Sequence, residues 1–461
     1  MSEELTRLSA ARAAALIRGG ELSPVELTEA YLRRVESLNP RLNAVVTLAA
    51  DALDQAREAE RKLTRRETLG ALHGVPVTVK DTIQVRGVRT TRGSRVESER
   101  APTEDATAVA RLRAAGAIVF GKTNCAELAL EYTAENPVFG RTNNPYDLSR
   151  SPGGSSGGCA AAVAACLTSA SLGSDLAGSI RIPAHFCGVA GLKPTAGRVP
   201  GDGHAPPVSG PYALGASLGP LARGVEDLEL MFKVLAGEDS PRVEAESLRG
   251  VRAALYFDDG VVPANEEIRS AVTRAAEALS DAGLQVEEGR PPSIESANEA
   301  WRETFSYPTV RYLREFYRGR EDEAGPGARA LLERGAREPT AEHLLASWRE
   351  RDSLRGELLR WMERTPLLVS PVGPLEAFKH EESRKVEVGG KVFPTFRAFA
   401  LAQAFNVYDL PAVCVPAGET REGLPVGVQV AGRPFEERRV LAAARVIEEA
   451  LGGWRPPTLF P

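Results

Sequence analysis

Hydrophobic and polar positions follow a helical period over several parts of the chain, and the first of these parts is residues 23–40. It opens on the sequence SPVE, in which Ser23 and Glu26 have the spacing of a capping box and Pro24 occupies the first helical position. An apolar-periodic segment follows them. This pattern predicts a helix that ends near Pro40.

A helix–glycine–strand unit is predicted further along the chain. Asp105 is expected to cap the amphipathic segment DATAVARLRAAG, Gly116 to stop that helix, and the apolar run AIVFGKT to follow as a strand. An earlier apolar run, GVPVTV, predicts a strand that ends at Lys80, and the small residues from Ser156 to Leu167 predict a closely packed helix. Units of this kind build α/β folds, so an α/β chain is expected.

Composition narrows the class of protein. The chain has 461 residues, 43% of them hydrophobic, and a formal net charge of −5, so a sizeable core is expected and nucleic acid is not an expected partner. No segment approaches the roughly 18 consecutive apolar residues of a membrane span, so no membrane partner is expected. The charged N-terminal segment lacks the apolar centre of a signal peptide, and the cysteines form no C-x-x-C pair, which together predict a cytoplasmic location.

The segment from Ser151 to Pro194 is rich in glycine and serine, and it carries the candidate chemistry. Ser155 lies within GGSSGG, and Ser179 lies in a second glycine-containing turn. A serine hydroxyl needs a base to become a nucleophile, and a desolvated lysine such as Lys80 can be that base. Glycines beside a serine can direct N–H groups at a developing oxyanion. GGSSGG alone is more typical of a flexible loop. Two glycine-flanked serines together with a lysine at the end of an apolar strand, however, predict acyl-transfer chemistry.

In their order and spacing these motifs resemble the amidase signature family, whose serine hydrolases use a Ser–cis-Ser–Lys triad. The family pattern is GGSSGG, a small-residue helix, and then G-[ST]-D-x-G-G-S-[IV]-R-x-P-[AS]. The chain has GGSSGG at 153–158, GSDLAGSIRIPA at 173–184, FCGVAGLKPTAGRVP at 186–200 and GLPVGVQVAG at 423–432. The resemblance implies the amidase signature fold, a mixed central β-sheet surrounded by α-helices in a single large domain.

The resemblance also assigns catalytic roles. Ser179 is expected to be the nucleophile, Ser155 the bridging serine at a cis peptide bond, and Lys80 the final base. Burial would lower the pKa of Lys80 from its ordinary value toward the range in which a neutral amine is present. The expected reaction is therefore attack on a carbonyl, with the proton of Ser179 passed through Ser155 to Lys80.

The oxyanion hole is expected to consist of the backbone N–H groups of Leu176, Ala177 and Gly178, just before the nucleophile. The family usually has glycine at the position of Ala177. If that position required a positive φ, alanine would be strained and the hole slightly reshaped. Activity is nevertheless expected, because alanine retains the N–H group.

Four further residues of the motif are expected to support the site. Asp175 and Arg181 bracket the nucleophile turn and are expected to form a pair that holds it, although Arg181 gripping an acidic group of the substrate is the alternative. Ser156 is expected to donate a supporting hydrogen bond, as is Ser174. If Lys80 were instead a solvated strand end, Asp81 next to it would be its surface partner.

Other catalytic and cofactor sites are disfavoured. His185 is close to the nucleophile in sequence, but no G-x-S-x-G elbow accompanies it, so a packed or surface histidine is expected. Cys159 and Cys166 are expected to be small core residues. The histidine and cysteine spacings offer no metal cage, and the glycine-rich stretches lack the G-K-[ST] ending of a phosphate loop. No metal and no cofactor are expected.

One domain over residues 1–461 is predicted, with a catalytic core at about 65–235 and 400–461 and a variable substrate-pocket region at about 240–397. That region contains much of the aromatic content of the chain, namely Trp301, Phe305, Tyr307, Tyr312, Phe316, Tyr317 and Trp348. Aromatic residues at helical spacing are more typical of core than of a pocket, yet an apolar acyl or amine pocket is expected here. The polar, glycine-broken segment 318–339 predicts a mobile loop near the entrance.

Two functions are compatible with the motifs. The favoured one is a stand-alone amidase, monomeric or homodimeric, that hydrolyses C–N bonds of small amides, aryl amides or carbamates through an acyl-enzyme on Ser179. The alternative is the glutaminase A subunit of a tRNA-dependent amidotransferase complex. An inactive binding scaffold is disfavoured, because all three triad residues are present.

One position separates the two functions. In the amidotransferase subunits that the chain resembles, an acidic residue lies seven positions before the asparagine of N-x-x-G-L-P and holds the glutamine amino group. Here the asparagine is Asn406, Asp409 replaces the glycine, and the position seven residues earlier is Phe399. Phenylalanine cannot hold an ammonium group by charge, which favours the stand-alone amidase.

Overall fold

The computed structural model describes residues 2–238, 241–334 and 339–460. Its strands are β1 Val45–Leu48, β2 Pro76–Lys80, β3 Ile118–Thr123, β4 Glu135–Asn136, β5 Gly140–Arg141, β6 Ala170–Asp175, β7 Ala190–Lys193, β8 Ser217–Ala222, β9 Arg252–Leu255, β10 Gln285–Glu288, β11 Leu367–Pro371, β12 Lys385–Val388, β13 Lys391–Pro394, β14 Ala412–Glu419 and β15 Pro425–Gly432. Its α-helices are α1 Ser2–Thr6, α2 Ala10–Arg18, α3 Pro24–Leu42, α4 Ala52–Thr64, α5 Thr107–Ala114, α6 Gly157–Ala164, α7 Arg181–Phe186, α8 Val225–Ala236, α9 Glu266–Asp281, α10 Ala297–Phe316, α11 Pro326–Arg334, α12 Ala341–Met362, α13 Thr395–Ala398, α14 Ala400–Val407 and α15 Glu437–Leu451.

Within the described residues, an 11-stranded sheet has the order β1-β3-β2-β6-β8-β7-β14-β15-β11-β9-β10, and β4–β5 and β12–β13 form separate hairpins. Strand β2 is parallel to β3 and β6, whereas β6, β8, β7, β14 and β15 pair with one another antiparallel. The sheet is therefore mixed, and helices such as α6, α8, α9 and α15 pack on it. The predicted fold class, a mixed central β-sheet surrounded by α-helices, is confirmed.

The catalytic motifs lie at one edge of the parallel part of this sheet. Every residue of β2, β3 and β6 is buried, which explains the nearly continuous apolar sequences of these strands. Because β2 and β6 are parallel, their C-terminal ends meet at the same edge. Val79 pairs with Leu172, so Lys80 at the end of β2 comes to lie beside the end of β6.

Two glycines of GGSSGG allow backbones to approach closely around the start of α6. A Cβ atom on Gly154 would lie 2.0 Å from the carbonyl oxygen of Thr133, and one on Gly158 would lie 2.4 Å from that of Asn124. No other residue type fits at these positions. The motif is therefore closely packed rather than a flexible loop.

The hydrophobic core of the described residues is a large cluster that extends over both faces of the sheet and includes positions from Ala10 to Phe460. A smaller cluster lies between α10 and α11 and contains Leu128, Leu313, Tyr317, Ala324 and Ala328. No helix in the described ranges is long and apolar enough to cross a membrane. The boundaries of the catalytic core and variable region stay predictions, and residue 240 lies outside the described residues.

The first predicted helix is present, with one correction. The hydroxyl of Ser23 accepts hydrogen bonds from the N–H groups of Val25 and Glu26, so the helix starts as predicted. However, α3 continues past Pro40 to Leu42. It ends where Asn43 adopts a left-handed conformation with φ 54°, which the sequence pattern did not indicate.

The predicted cap of α5 is wrong. The carboxylate of Asp105 accepts from the N–H of Arg86 and does not cap the helix, which begins at Thr107. Instead Asp202, distant in sequence, accepts from both the N–H and the hydroxyl of Thr107 at 2.9 Å. The helix ends at Ala114, just before Gly116 with its φ of +86°, and strand β3 follows as predicted.

The variable region differs from its prediction in part. Within the predicted mobile loop 318–339, residues Glu321–Glu323 form a 3₁₀ turn and Pro326–Arg334 form α11, so the loop prediction is wrong there. Residues 335–338 of that loop lie outside the described residues. Trp301, Phe305 and Tyr317 are buried, as expected for core aromatic residues.

Candidate active site

Lys80 lies at the centre of the candidate site. Its side chain is fully buried, and Nζ donates hydrogen bonds to Ser155 Oγ at 2.7 Å and to Ser174 Oγ at 2.9 Å. Burial lowers the pKa of Lys80 to about 8, against the opposing influence of neighbouring groups that include Asp175. A lysine in this state is close to the neutral amine that a base must be.

Ser155 connects the base to the nucleophile turn. The Gly154–Ser155 peptide bond is cis, as the family resemblance implies. Next to it, the N–H of Ser156 donates to the carbonyl oxygen of Ser179 at 3.1 Å, and Ser156 Oγ bonds with the backbone of Ser174. The start of α6 and the turn before α7 are thus joined directly.

Ser179 occupies a turn between β6 and α7. The preceding Gly178 has φ +105°, and a Cβ atom there would lie 2.6 Å from Ala402 Cβ, so the turn requires glycine. Ser179 retains 7% exposure, whereas Ser155 is fully buried. In the described part of the chain, the Ser179 hydroxyl has no hydrogen-bond partner. The structure therefore joins Lys80 to Ser155 by a hydrogen bond and joins the turn that carries Ser179 to Ser156, the neighbour of Ser155.

Asp175 and Arg181 form the buried pair that was expected to hold this turn. Arg181 contacts both carboxylate oxygens of Asp175 at 3.0–3.1 Å, and both side chains are fully buried. Burial would raise the pKa of Asp175, but the charge of Arg181 and hydrogen bonds hold it at about 2. This geometry favours the holding role of Arg181 over contact with an acidic substrate group.

The pair is held in turn by two distant side chains. Arg181 donates to Gln429 Oε1 at 2.9 Å and to Asn406 Oδ1 at 2.7 Å, while Asn406 Nδ2 donates to Asp175 Oδ1 at 2.9 Å. Gln429 lies in the motif GLPVGVQVAG, and its own amide group donates to Pro371 O. The C-terminal motif therefore supports the nucleophile turn.

The three amides predicted to form the oxyanion hole differ from one another. The N–H of Gly178 donates to Asp175 Oδ1 at 2.8 Å, so this group already has an acceptor. Among the described residues, the N–H groups of Leu176 and Ala177 have none. Ala177 is not among the described residues with positive φ, so the strain considered for this alanine is absent.

Two aromatic residues fix the orientation of this turn: Tyr132, which sequence reasoning missed, and Trp301, which it placed only among the aromatic residues of the variable region. Trp301 Nε1 donates to the carbonyl oxygen of Leu176 at 2.7 Å, and the hydroxyl of Tyr132 donates to that of Ala177 at 2.6 Å. In a trans peptide the C=O and N–H groups point in opposite directions, so Trp301 directs the N–H of Ala177 away from itself. No motif marks either residue.

The same aromatic residues form a wall beside the turn. Phe396 stacks on Tyr132 at a centroid distance of 5.3 Å and contacts Trp301 edge-on at 4.9 Å. Phe399 lies behind them, fully buried, and packs against Tyr132. This wall is apolar apart from the groups that bind the turn.

The side chains that were expected to be packed rather than catalytic lie in the interior. His185 is buried; its Nδ1 accepts from the N–H of Gly427, and burial lowers its pKa to about 4. Cys159 and Cys166 are buried and free of disulfides. Within the described ranges, no group of three or more histidine, cysteine, aspartate or glutamate side chains could hold a metal ion. A further residue near the site, the partly buried His204, was not predicted and contacts Ser174.

Comparison with known proteins identifies the family of the chain. The family model described as Amidase matches residues 26–441. The A subunit of the glutamyl-tRNA(Gln) amidotransferase of Roseiflexus castenholzii is 35% identical over an alignment that covers 95% of this chain and 94% of that protein.

Solved structures are similar over almost the whole chain. An amidase crystal structure has a TM-score of 0.86 and 35% identity and covers 96% of this chain and 100% of its own. The peptide amidase of Stenotrophomonas maltophilia has a TM-score of 0.85 and 30% identity, with 99% of each chain covered. The chain therefore belongs to the amidase signature family, whose enzymes hydrolyse C–N bonds.

Proposed function

We propose that this protein is a stand-alone amidase that cleaves C–N bonds of small amides, aryl amides or carbamates through an acyl-enzyme on Ser179. The observation that carries the proposal is the contact of 2.7 Å between buried Lys80 and Ser155, next to the turn that presents Ser179. A lysine whose pKa is about 8 can accept a serine proton near neutral pH.

The proposed reaction begins with attack of Ser179 Oγ on the substrate carbonyl carbon. As the C–O bond forms, the Ser179 proton passes to Ser155 and the Ser155 proton passes to Lys80. The N–H groups of Leu176 and Ala177 stabilise the negative charge on the carbonyl oxygen. The relay then returns a proton to the leaving nitrogen as the C–N bond breaks.

Water completes the cycle. It attacks the acyl carbon of the ester on Ser179 and gives a proton to the same relay, which returns it to Ser179 Oγ as the ester bond breaks. The products are the free amine and a carboxylic acid. Where the substrate is a carbamate, the acid is a carbonic acid monoester, which decomposes to CO2 and the alcohol or phenol. No further reactant is needed.

The aromatic wall supports the choice of substrate class. Tyr132, Trp301 and Phe396 offer flat apolar surface beside the reacting serine, which suits an aryl or alkyl group better than a charged one. Trp301 and Phe396 come from the variable region at about 240–397. We therefore infer that this region shapes the pocket while the proposed catalytic core supplies the triad.

The alternative is the glutaminase A subunit of a tRNA-dependent amidotransferase complex, and the 35% identity to such subunits supports it. The environment of Phe399 argues against it. Phe399 is fully buried among Tyr132, Phe186 and Phe378, so an apolar cluster occupies the position from which an acidic residue would hold the glutamine ammonium group.

Amine release by the purified chain alone tests the proposal. The panel contains a nitroanilide, a short aliphatic amide, an aryl carbamate and glutamine. Ser179→Ala should abolish turnover, and Ser280→Ala, which changes an exposed serine of α9, is the matched control that should retain it. Turnover of the anilide or carbamate supports the stand-alone amidase, and turnover of glutamine alone supports the amidotransferase alternative.

The assembly and location of the protein are part of the same proposal. We expect a monomer or homodimer, which light scattering of the purified chain would establish. A cytoplasmic location stays the prediction, and it agrees with cysteines that are buried and free among the described residues.

A further inference from the structure

His204 lies in the connection between β7 and β8, against the segment that follows Lys80. The N–H of Ala205 donates to Thr82 O at 3.0 Å, and the N–H of Gln84 donates to Gly203 O at 3.0 Å. Backbone hydrogen bonds on both sides thus fix the position of the imidazole. Sequence reasoning assigned this residue no role.

A continuous chain of hydrogen bonds joins His204 to the candidate base. Its Nε2 lies 2.8 Å from Ser174 Oγ, and Ser174 Oγ lies 2.9 Å from Lys80 Nζ. At the far end, His204 Nδ1 lies 2.7 Å from the carbonyl oxygen of Pro206. Lys80 therefore contacts two serine hydroxyls, one leading to the nucleophile and one leading away from it.

The carbonyl oxygen of Pro206 determines the tautomer of His204. A carbonyl oxygen only accepts hydrogen bonds, so Nδ1 must carry the proton that it donates. Burial and, after it, the charge of Lys80 lower the pKa of His204 to about 3, so the ring is neutral. Its Nε2 therefore presents a lone pair to Ser174, with the hydroxyl of Thr82 a more distant neighbour at 3.1 Å.

The lone pair on His204 Nε2 determines which groups donate and which accept in the hydrogen bonds of Ser174 and Lys80. The single hydroxyl proton of Ser174 is donated to His204, so Ser174 Oγ can only accept from Lys80. A neutral lysine amine has two N–H groups and one lone pair. With one N–H directed at Ser174, the lone pair is free to face the hydroxyl of Ser155. If Ser174 could rotate, its hydroxyl could occupy that lone pair instead.

We propose that His204 is a positioning residue that acts through Ser174 to keep the lone pair of Lys80 directed at Ser155. This inference rests on the proposed function, because it assumes that Lys80 is the base. His204 touches neither the substrate nor the reacting atoms. Its role is to exclude the hydroxyl orientation in which Lys80 would be blocked.

The groups that face Lys80 and His204 come from several elements. Asp175 of β6, Cys125 after β3 and Cys159 of α6 face Lys80, and Arg92 together with Lys80 itself faces His204. These groups remain in place when His204 is replaced. A change in the pH profile of such a variant then reports on the hydrogen-bond chain.

The test compares His204→Leu, which removes the acceptor, with His204→Gln, whose carbonyl oxygen can replace Nε2. For His204→Leu we expect kcat to fall about 10- to 100-fold with KM changed less than twofold. The acidic limb of the kcat profile should move to lower pH, because a freed Ser174 hydroxyl stabilises the neutral form of Lys80. His204→Gln should recover kcat to within about fivefold of the parent enzyme.

A double-mutant comparison isolates the path through Ser174. In a Ser174→Ala background, His204→Leu should change kcat by less than about twofold, because the link between the two residues is already broken. If His204→Leu fails to fold, His204→Phe, which keeps a ring and also lacks the acceptor, takes its place in both comparisons. A large further loss in that background would overturn the proposal.

His73→Gln is the matched control. It replaces a buried histidine near β2, whose Nε2 bonds with Ala59 O and which is not part of the chain of hydrogen bonds. It should leave the acidic limb unchanged. The proposal is overturned if His204→Leu retains the parent kcat and pH profile, or if the Leu and Gln variants lose kcat equally with the limb unmoved.

Parallel Ser179→Ala and Lys80→Ala variants separate the two proposals. Activity retained in either of them contradicts the proposed function itself. Activity lost in both, but unchanged in His204→Leu, contradicts only the role of His204.

Discussion

Lys80 and Lys122 lie on adjacent strands, and the comparison between them separates what burial does from what neighbours do. Both side chains are fully buried, and burial lowers the pKa of each to about 8. Lys122 pairs in the sheet with Val79, so the two lysines project from opposite faces. Only their surroundings differ.

The partners of the two lysines determine what each can do. Lys122 donates to Ile83 O at 2.5 Å and to Thr90 Oγ1 at 2.9 Å, and it lies 3.7 Å from the carboxylate of Asp81. Lys80 has two serine hydroxyls and, among the described residues, no carboxylate within ion-pair distance. Lys80 can therefore lose its proton without leaving a buried carboxylate unpaired, whereas Lys122 cannot.

The alternative in which Asp81 is a surface partner of a solvated Lys80 is also ruled out. Asp81 is buried, and it pairs with Lys122 on the other face of the sheet. A depressed lysine pKa alone is therefore poor evidence for a catalytic base. What distinguishes Lys80 from Lys122 is that hydroxyl groups, and no carboxylate among the described residues, surround its amine.

The largest expected effect comes from removing Lys80. Lys80→Met should lower kcat by about 10³-fold or more, because both steps of the reaction lose their base. The free energy of unfolding should change little, since a buried ammonium without a carboxylate partner is replaced by an apolar chain of similar length. Amine release and urea denaturation measure the two quantities. A variant with more than a tenth of the parent kcat contradicts the assignment.

The same substitution at Lys122 should reduce stability strongly and activity only weakly, the reverse of the effects expected at Lys80. Lys122→Met should lower the free energy of unfolding by about 3–5 kcal/mol, because it leaves the buried carboxylate of Asp81 without a counter-charge. The kcat of the folded fraction should fall less than tenfold. Adding Asp81→Asn should recover part of the stability. If Lys122→Met abolishes activity while the protein remains folded, the comparison fails.

The pH dependence of kcat should report the titration of Lys80 and not that of Lys122. Since neutral Lys80 is needed, kcat should increase about tenfold per pH unit below the pKa of about 8 and level off above it. Both lysines have a lower pKa in the folded than in the unfolded chain, so the unfolded chain binds more protons and stability should rise with pH between about 8 and 10.5. The acidic limb of the kcat profile should persist in Lys122→Met. Loss of that limb in this variant would contradict the assignment of Lys80 as the base.

The smallest expected effect is at Thr90, whose hydroxyl is the counterpart of the serines around Lys80. Thr90→Val should lower the free energy of unfolding by about 1 kcal/mol, because Lys122 loses one hydrogen-bond acceptor. The kcat and its pH profile should not change. A shifted acidic limb in this variant would mean that the two faces of the sheet are coupled.

The sequence allowed prediction of the parts of the site that lie within one motif. Ser155 and Ser179 stand in glycine-rich turns with recognisable spacing, and Lys80 follows an apolar strand, so each is visible locally. The parallel pairing of β2 and β6 that joins them follows from an α/β pattern. The mixed character of the sheet, by contrast, was implied only by the resemblance to the amidase signature family.

The supporting groups could not be predicted because the sheet order brings them from distant segments. Trp301 lies 125 residues from the carbonyl that it binds, and Gln429 lies 248 residues from Arg181. The cap of α5 failed for the same reason, since Asp202 competes with the adjacent Asp105. Local spacing carries no information about such pairs.

The hold of Asn406 and Gln429 on the Asp175–Arg181 pair has a consequence for synthesis of the chain. A ribosome produces Lys80, Ser155 and Ser179 long before it produces the residues that clamp the nucleophile turn. A growing chain that ends before residue 406 contains the whole triad but leaves Arg181 without two of its partners. The hydrolase should therefore gain activity only late in translation, so that unfinished chains do not attack amides in the cell.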